Sequence, residues 1–284
     1  MRIGSLTDRD GRTFVGRIDG DSVEVLAAPT MLAWLAGEGR EATGETIALA
    51  DVAPLAPVPE PPSVRDFYAF EGHVAAGAAR RGKEIAPYWY EAPAFYFSNP
   101  AAIFGPGEPI RRPTGTQELD FELEIAAVVG APAEGGELGI AGFTLMNDWS
   151  ARDVQRREVT VGLGPAKGKD FATSLGPFIV TPDELPYEDG RLRIAARVEV
   201  NGVELSRCDA SEKHFGWPDL LAHAARDTRL RPGDILGSGT LTGGCLLELG
   251  PFEPEPGAEP RWLEPGDVVA LEADGLGRLE NPVA

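Results

Sequence analysis

The beginning of the chain alternates between apolar and polar residues in short runs. The segments RIGSL (2–6), TFVGRI (13–18) and SVEVLAA (22–28) are separated by DRDG and DGD, whose glycine and aspartate residues favour tight turns. This pattern predicts a small β-meander. The apolar spacing of the next segment, TMLAWLAGE (30–38), predicts a short helix.

A proline-rich stretch interrupts this pattern. The segment APLAPVPEPPS (53–63) contains five prolines in eleven residues, and because proline fixes φ and removes a backbone donor, we expect a stiff connector here. We therefore predict a small N-terminal β domain over residues 1–55 and a larger domain over residues 64–284. The alanine-rich segment 66–82, which ends at Gly82, predicts a helix at the start of the larger domain.

The larger domain consists mostly of short apolar runs and turns. Three of these runs predict strands: LEIAAVVG (123–130), FTLMND (143–148) and GPFIVT (176–181). The pair Asn201-Gly202 lies between two alternating runs and predicts a β-hairpin with a type I′ turn. We expect helices over residues 150–158, with Ser150 as N-cap, and over residues 217–227.

The composition favours strands and turns over long helices. The 284 residues include 35 glycines and 25 prolines, scattered without a fixed period. Glycine and proline both destabilise the interior of a helix, so residues this frequent leave few segments long enough for a long helix. Together with the pattern of elements, the composition predicts a β-rich α+β fold with a few peripheral helices.

The charge of the chain narrows the range of partners and compartments. Acidic residues outnumber basic residues by 45 to 26, giving a net charge of −19, so we expect neither nucleic acid nor membrane as partner. No apolar run approaches the roughly 20 residues that span a bilayer, and the N-terminus lacks a signal-peptide pattern. Cys208 and Cys245 are too few for a disulfide framework, although one disulfide between them stays open. We expect a cytoplasmic protein in a reduced compartment.

Three carboxylates alternate along one predicted strand, at Asp120, Glu122 and Glu124. Strand geometry places such side chains on one face, with neighbours about 6.6 Å apart. Two interpretations are open. The carboxylates are ligands of a hard cation such as Mg²⁺, Ca²⁺ or Mn²⁺, which prefers oxygen donors, or they form a solvated face at a sheet edge.

Asp148 ends an apolar run directly before the predicted helix 150–158. Arg152 and Gln155 follow on one face of that helix, where a guanidinium and an amide can reach the same oxygen atom. A ligand site at this junction is one interpretation. The alternative is an aspartate that caps its own helix beside a surface arginine.

Two further residues are candidates for chemistry. His73, one of three histidines, lies on the helix predicted over residues 66–82, and Lys169, one of four lysines, lies in a glycine-containing loop. Glycine lets the backbone approach a ligand closely. A structural histidine and an ordinary surface loop are the alternatives.

The order of these motifs over most of residues 64–250 resembles the fumarylacetoacetate hydrolase family. The resemblance rests on six segments: DFYAFEGH (66–73), PIRRP (109–113), LDFELEIAAVVG (119–130), LMNDWSARDVQ (145–155), GKDFATSLGP (168–177) and GSGTLTGG (237–244). It implies the mixed β-sandwich or β-roll of that family, preceded by a small N-terminal β domain. It also implies a homodimer.

The resemblance further implies roles for particular residues. Four carboxylates match the positions that bind a divalent ion, Mg²⁺, Mn²⁺ or Ca²⁺: Asp66, Glu122, Glu124 and Asp148. His73 matches the general base, and Glu248 the carboxylate that pairs with it. Three side chains match positions that hold substrate oxygens: Arg152, Gln155 and Lys169. Four residues match further metal-site or substrate contacts: Tyr68, Tyr96, Thr173 and Thr240.

Residues and resemblance together predict a metal-dependent hydrolase that cleaves a carbon–carbon bond in a 1,3-dicarbonyl acid of the fumarylacetoacetate or acylpyruvate type. The metal acts as Lewis acid, His73 takes a proton from water, and the partner is a small anionic dicarbonyl substrate. Two alternatives stay open. One is a metal-dependent decarboxylase or isomerase of a 2-oxo diacid such as oxaloacetate. The other is a non-catalytic cation-binding protein, which would need neither a base nor donors for an oxyanion.

Overall fold

The structure is a computed structural model that describes residues 1–131 and 138–284. These two ranges contain twenty strands: β1 (Arg2–Asp8), β2 (Thr13–Asp19), β3 (Ser22–Leu26), β4 (Ala42–Ala48), β5 (Val52–Pro54), β6 (Val64–Phe67), β7 (Phe95–Ser98), β8 (Ile103–Phe104), β9 (Leu119–Asp120), β10 (Leu123–Gly130), β11 (Gly139–Asp148), β12 (Ser150–Ala151), β13 (Thr173–Val180), β14 (Tyr187–Glu188), β15 (Arg191–Leu192), β16 (Ala195–Val200), β17 (Val203–Asp209), β18 (Ile235–Gly237), β19 (Val268–Ala273) and β20 (Gly277–Pro282). The same ranges contain five α-helices: α1 (Met31–Leu35), α2 (Glu71–Arg80), α3 (Arg152–Glu158), α4 (Trp217–Ala225) and α5 (Leu246–Leu249). The β-rich fold with few helices is confirmed.

The N-terminal meander is present as β1 to β4, with each strand antiparallel to the next. The short helix α1 follows β3, and the Thr30 hydroxyl caps it by accepting the N–H of Ala33. Strand β1 also pairs with β13, where Arg2 lies opposite Val180. The N-terminal strands therefore continue a sheet of the larger part of the chain, and the division into two domains stays a prediction.

One large sheet organises the molecule. Its main path runs β4-β3-β2-β1-β13-β11-β10-β18-β6-β7, with β5 on β1 and β8 on β13. Every residue of β10 is buried, which explains why its sequence is continuously apolar after Glu124 instead of alternating. Ile125 and Ala127 face the larger core, whereas Ala126 and Val128 pack with the N-terminal strands and α1.

A second sheet packs against the first. It is antiparallel, with the strand order β17-β16-β19-β20. Its β16–β17 hairpin turns at Asn201 and Gly202, whose φ values are 53° and 78°, as the type I′ prediction requires. Val198 of β16 and Leu271 of β19 belong to the same core as Ile125 of the large sheet. The two sheets therefore enclose a common core, as expected for a sandwich.

The helix predicted from residue 66 is wrong in its first part. Asp66 lies in strand β6, paired with Gly237 of β18 on one side and Tyr96 of β7 on the other. Helix α2 begins only at Glu71. Pairing with strands that are distant in sequence outweighs the local helical pattern.

The predicted helix over residues 150–158 is also shorter than expected. Ser150 lies in β12, and its hydroxyl donates to the carbonyl of Asp148. Helix α3 begins at Arg152 after Ala151, which has no side chain to cap it. The prediction of Ser150 as N-cap is therefore wrong, because the short β12–β9 pairing extends the chain past this residue.

Two other predictions concern cysteines and membranes. Cys208 and Cys245 are both free and buried, so the disulfide left open by the sequence is not formed. Within the two described ranges, no helix has the length and apolar character needed to cross a membrane.

Candidate active site

Four strands of the large sheet bring together carboxylates that are far apart in the sequence. Asp66 lies on β6, Glu124 on β10 and Asp148 at the end of β11, while Glu122 directly precedes β10. Strand β18 lies between β6 and β10, and its Gly237 pairs with both Asp66 and Ala126. The order of the strands thus aligns the acidic residues at one end of the sheet.

These acidic residues form one group, called here the carboxylate cluster: Asp66, Glu122, Glu124 and Asp148. One oxygen atom from each residue lies within 4.8 Å of the others. All four side chains are buried. Lys169 contacts Glu122 and also donates to Asp148 Oδ2 at 2.5 Å. The solvated-edge interpretation of Glu122 and Glu124 is therefore wrong.

The cluster fits a divalent ion on two grounds. Three of its buried oxygens, Asp66 Oδ1, Glu124 Oε1 and Asp148 Oδ1, accept no hydrogen bond from any described residue, and buried polar atoms normally have a partner. In addition, Gly237 leaves space at the cluster, because a Cβ there would lie 2.5 Å from Asp66 Oδ1. A donor set made only of oxygen atoms suits Mg²⁺, Mn²⁺ or Ca²⁺.

The pKa shifts in the carboxylate cluster also fit a bound divalent ion. Burial, and then the charge of a neighbouring carboxylate, raises the pKa of Asp66 and Glu124 well above the usual range. Burial also raises the pKa of Asp148, against the charge of Lys169. Burial would raise the pKa of Glu122 too, but Arg152 and Lys169 outweigh it and hold that pKa below its usual value. Without a further cation, the cluster carries more negative charge than its surroundings compensate.

His73 lies on the first turns of α2, between the carboxylate cluster and Glu248. Its Nδ1 is 2.7 Å from Glu248 Oε1, and its Nε2 is 3.8 Å from Glu122 Oε1. The other oxygen of Glu248 accepts the N–H of Gly243 at 2.9 Å. A carboxylate oxygen at this distance accepts a hydrogen bond from the Nδ1–H of His73, and this contact turns Nε2 toward the cluster.

Arg152 connects the cluster to the rest of the site. Its guanidinium is 2.7 Å from Asp120 Oδ2 and 2.7 Å from Glu122 Oε1. It also donates to Gln155 Oε1 at 3.2 Å. Arg152 is buried, so the surface-arginine alternative is wrong. Likewise, Asp148 faces Tyr96 and Lys169 instead of capping α3.

Asp120 lies outside the carboxylate cluster, although its Oδ2 and Glu122 Oε1 are both 2.7 Å from the guanidinium of Arg152. The extended strand is interrupted, because β9 ends at Asp120 and β10 begins at Leu123. The two oxygens of Asp120 accept the N–H groups of Leu246 and Leu247 at 2.8 and 2.9 Å. Asp120 thereby fixes the start of α5, the helix that carries Glu248.

A cavity of about 560 Å³ opens beside the cluster. Several predicted residues line it, namely Asp66, Tyr68, His73, Tyr96, Glu122, Glu124, Arg152, Gln155, Lys169 and Thr240. Tyr96 donates from its hydroxyl to Asp148 Oδ2 at 2.6 Å. Tyr68 packs edge-on against His73, with 5.4 Å between ring centroids. Thr173 is buried behind this wall, where its hydroxyl lies 3.4 Å from that of Ser98.

Sequence reasoning missed several residues of the site. Gly237 makes space for the cluster, and Asp120 positions both Arg152 and α5. Three arginines also line the cavity: Arg80, Arg81 and Arg156. The adjacent pair Arg80-Arg81, seven and eight residues after His73, was visible in an otherwise acidic chain. The role of Gly237 had no local signal, because it depends on the neighbours of β18.

Two family models match the chain. The model described as Fumarylacetoacetate (FAA) hydrolase C-terminal matches residues 63–284, and the one described as Rv2993c-like, N-terminal matches residues 1–57. The first covers well over half of the chain. The chain therefore belongs to the fumarylacetoacetate hydrolase family, which confirms the resemblance of its motifs.

Similar curated proteins are named fumarylacetoacetase. The protein from Oryza sativa subsp. japonica is 34% identical over 280 residues, covering 76% of this chain and 64% of its own length. The protein from Arabidopsis thaliana is 36% identical over 271 residues, covering 72% of this chain and 63% of its own. The chain thus spans less than two thirds of the length of these relatives.

Among the similar solved structures that cover the whole of this chain, some are named isomerases. A 5-carboxymethyl-2-hydroxymuconate delta-isomerase from Mycobacterium smegmatis is 29% identical with a TM-score of 0.73, and the match covers 100% of this chain and 99% of that one. A 2-hydroxyhepta-2,4-diene-1,7-dioate isomerase from Mycobacterium marinum is 26% identical with a TM-score of 0.72, covering 100% and 98%. Hydrolase and isomerase names therefore both occur among similar proteins.

Proposed function

We propose that the protein is a divalent-metal-dependent hydrolase that cleaves a carbon–carbon bond in a 1,3-dicarbonyl acid. The observation that carries this proposal is the position of His73. Its Nδ1 is held 2.7 Å from Glu248, and its Nε2 faces the carboxylate cluster across 3.8 Å at the wall of the cavity. An oriented base beside a set of oxygen ligands is the arrangement that activation of water requires.

The carboxylate cluster would hold Mg²⁺ or Mn²⁺, with Ca²⁺ as a third candidate. When bound, such an ion supplies Lewis-acid polarisation of the substrate oxygens. The residues around the cluster then set the geometry. Tyr96 and Lys169 orient Asp148, and the Gly239 N–H fixes Glu124 Oε2 at 2.9 Å.

His73 carries the proton transfer. Its Nε2 takes a proton from water, and the hydroxide adds to a carbonyl carbon of the substrate. The carbon–carbon bond breaks, and its electron pair leaves with the other fragment as an enolate. The enolate carbon then takes the proton back from His73, giving a carboxylic acid and a keto acid. Glu248 keeps the imidazole in the required tautomer and stabilises its charged form.

Arg152, Gln155 and Lys169 stabilise the oxyanion that forms when hydroxide adds. Arg152 and Lys169 are fixed in advance by buried carboxylates, and Gln155 is held by Arg152. Preorganised donors in a buried site are effective because they need no reorganisation during the reaction. The structural arrangement thus supports a role in stabilising negative charge.

The cavity also favours an anionic substrate. Arg80 and Arg81 line it in addition to Arg152 and Lys169, and so does Arg156, which is paired with Glu118. In a chain of net charge −19, this local concentration of cations would attract an acid and hold a second carboxylate away from the cluster. This favours a dicarboxylate such as fumarylacetoacetate over a short acylpyruvate.

An isomerase of a hydroxymuconate-type diacid is the second candidate. It is supported by the names of the two mycobacterial structures, which are matched over the whole length of this chain. An isomerase would use His73 to move a proton between two carbons, without water. A decarboxylase of oxaloacetate would need neither a water nucleophile nor a His–Glu pair. A purely structural ion site explains neither the cavity nor His73.

Product analysis separates these reactions. Fumarylacetoacetate, an acylpyruvate, oxaloacetate and a hydroxymuconate diacid are each incubated with Mg²⁺-loaded enzyme, and the products are identified by NMR. We expect two acids from a diketo acid. The matched control is His73→Ala, which should give none. Conversion of the hydroxymuconate diacid without cleavage of a carbon–carbon bond would contradict the hydrolase proposal and support the isomerase. If oxaloacetate is the only substrate converted, and carbon dioxide is released, the enzyme is a decarboxylase.

A further inference from the structure

A second group of ligand atoms lies on the other side of the His73 ring. Cys245 directly precedes α5, and its Sγ is 3.7 Å from His73 Nδ1 and 3.6 Å from Glu248 Oε1. We call these three atoms the Cys245 cluster, and all lie within 4.8 Å of one another. Its donors are nitrogen, sulfur and oxygen, whereas the carboxylate cluster offers only oxygen.

The separations in the Cys245 cluster approach those of a zinc site. Tetrahedral Zn²⁺ binds sulfur at about 2.3 Å and nitrogen or oxygen at about 2.0–2.2 Å, which places the ligand atoms roughly 3.3–3.6 Å apart. The two distances from Cys245 Sγ already lie close to this range. The distance between His73 Nδ1 and Glu248 Oε1 is 2.7 Å, and it would open once the shared proton leaves.

The surroundings hold the three ligands in place. Glu248 is anchored through its other oxygen by the Gly243 N–H, which leaves Oε1 facing His73 Nδ1 and Cys245 Sγ. Asp120 fixes the start of α5 through two backbone N–H groups. His73 and Leu247 line the cavity, so the Cys245 cluster lies directly behind its wall.

We propose that the Cys245 cluster is a second metal site, which takes Zn²⁺ in preference to Mg²⁺ and switches the enzyme off. Thiolate and imidazole ligands favour Zn²⁺, whereas Mg²⁺ prefers oxygen. On binding, the Cys245 thiol loses its proton to solvent and the His73 ring proton passes, by way of solvent, from Nδ1 to Nε2. A thiolate and a neutral imidazole then bind Zn²⁺, and Nε2 can no longer accept a proton. His73 is then separated from Glu248. The inhibitory effect rests on the proposed role of His73 as base, but the binding does not.

Cobalt absorption tests the binding without any turnover. Co²⁺, a spectroscopic substitute for Zn²⁺, is added to Mg²⁺-saturated protein, and the thiolate-to-cobalt charge-transfer band is recorded. The wild type and Cys208→Ser, the matched control at the other buried cysteine, should both show the band. Cys245→Ser should lack it and bind Co²⁺ at least tenfold more weakly. Cys245→Ala serves the same purpose if the serine variant does not fold. A band of equal strength in the Cys245 variants, or no band in the wild type, would overturn the proposal.

Zinc inhibition tests the switch. Turnover is measured at saturating Mg²⁺ with increasing Zn²⁺, relative to the zinc-free rate of each variant. Half-inhibition of the wild type and of Cys208→Ser should need at least tenfold less Zn²⁺ than half-inhibition of Cys245→Ser. Equal inhibition of all three would show that Zn²⁺ acts at the carboxylate cluster and would contradict the switch. If no substrate is turned over, the proposed reaction fails while the cobalt result still stands.

Discussion

Two buried lysines lie in opposite environments. Lys169 and Lys213 are 3% and 2% exposed. Lys169 contacts Glu122 and Asp148. Lys213 makes no hydrogen bond to any described residue, and its Nζ lies over the Trp217 ring, 3.4 Å from the centroid. We refer below to the Lys169 region, meaning Lys169 with its carboxylate partners, and to the Lys213 region.

The two lysines differ in whether neighbouring charges compensate the burial of a cation. Burial alone would lower the pKa of Lys169, but the charges of Asp148 and Glu122 hold it above its usual value. Burial, and then the charge of Arg191, lowers the pKa of Lys213 well below its usual value. The fold therefore keeps a cation in the Lys169 region and disfavours one in the Lys213 region. A fixed buried charge of this kind indicates a site for chemistry.

The largest effect is expected at His73, the proposed base, whose Nε2 faces Glu122 of the Lys169 region. His73→Ala should lower kcat by about 10²–10⁴-fold, the range for a lost general base. Glu248→Gln should lower kcat less, since the amide oxygen can still accept from His73 Nδ1 but lacks the charge that stabilises the protonated imidazole. The double variant should be little worse than His73→Ala, because the two residues act as a unit. The kcat values are measured by steady-state kinetics. If the loss of kcat in the double variant equals the product of the two single losses, Glu248 does not act through His73.

The two lysines themselves should differ sharply in activity. Lys169→Met removes the donor that we propose for the oxyanion and also the cation between Glu122 and Asp148, so kcat should fall by about 10²–10³-fold. Lys213→Met, the matched control, should keep wild-type kcat and KM. Steady-state kinetics of both variants measure this difference. An equal loss of kcat in the two variants would contradict a catalytic role that is specific to the Lys169 region.

In the Lys213 region, substitution of the lysine should increase the stability of the fold. Lys213→Met replaces a buried amine that lacks a hydrogen-bond partner among the described residues, so the free energy of unfolding at pH 7 should rise by about 1–3 kcal/mol. The unfolded chain keeps the Lys213 proton up to about pH 10, whereas the fold releases it at lower pH. Wild-type stability therefore gains as pH rises toward 10, and the advantage of the variant should shrink. Urea unfolding at pH 7 and pH 9.5 measures this change. A gain that is the same at both pH values would contradict the lowered pKa.

The smallest effect is expected from one hydrogen bond in the Lys169 region. Tyr96 donates to Asp148 Oδ2 at 2.6 Å, and Tyr96→Phe removes this bond. We expect metal affinity to fall about fivefold, or about 1 kcal/mol. Tyr90→Phe is the control, since Tyr90 donates at 2.8 Å to the exposed Glu71. If both variants bind metal as the wild type does, Tyr96 does not position Asp148.

The sequence predicts those parts of the fold that local rules determine. The Asn201-Gly202 turn needs only two positive φ values, and both are present. The start of α2 could not be predicted, because Asp66 pairs with strands from two distant parts of the chain. The local pattern of apolar and polar residues does not show which distant strands will pair.

The same limit applies to the site. Composition and spacing left open whether the acidic strand residues bind metal, and the family motifs were needed to select four of them. The structure places these four together. It leaves Asp120, which periodicity had grouped with Glu122 and Glu124, outside the cluster, because Asp120 accepts the backbone N–H groups of Leu246 and Leu247. The space at Gly237 depends on strand order and leaves no trace in local sequence.

The direct test of the carboxylate cluster, which includes both carboxylate partners of Lys169, is a calorimetric titration of EDTA-treated protein with Mn²⁺ and with Mg²⁺, followed by an activity assay at each point. We expect one high-affinity ion per chain, and activity that rises from near zero in step with its occupancy. Glu124→Gln, which removes one charged ligand from the cluster, should lose that binding and that activity together. Full activity in the metal-free protein, or unchanged ion binding in Glu124→Gln, would contradict a catalytic ion held by the carboxylate cluster.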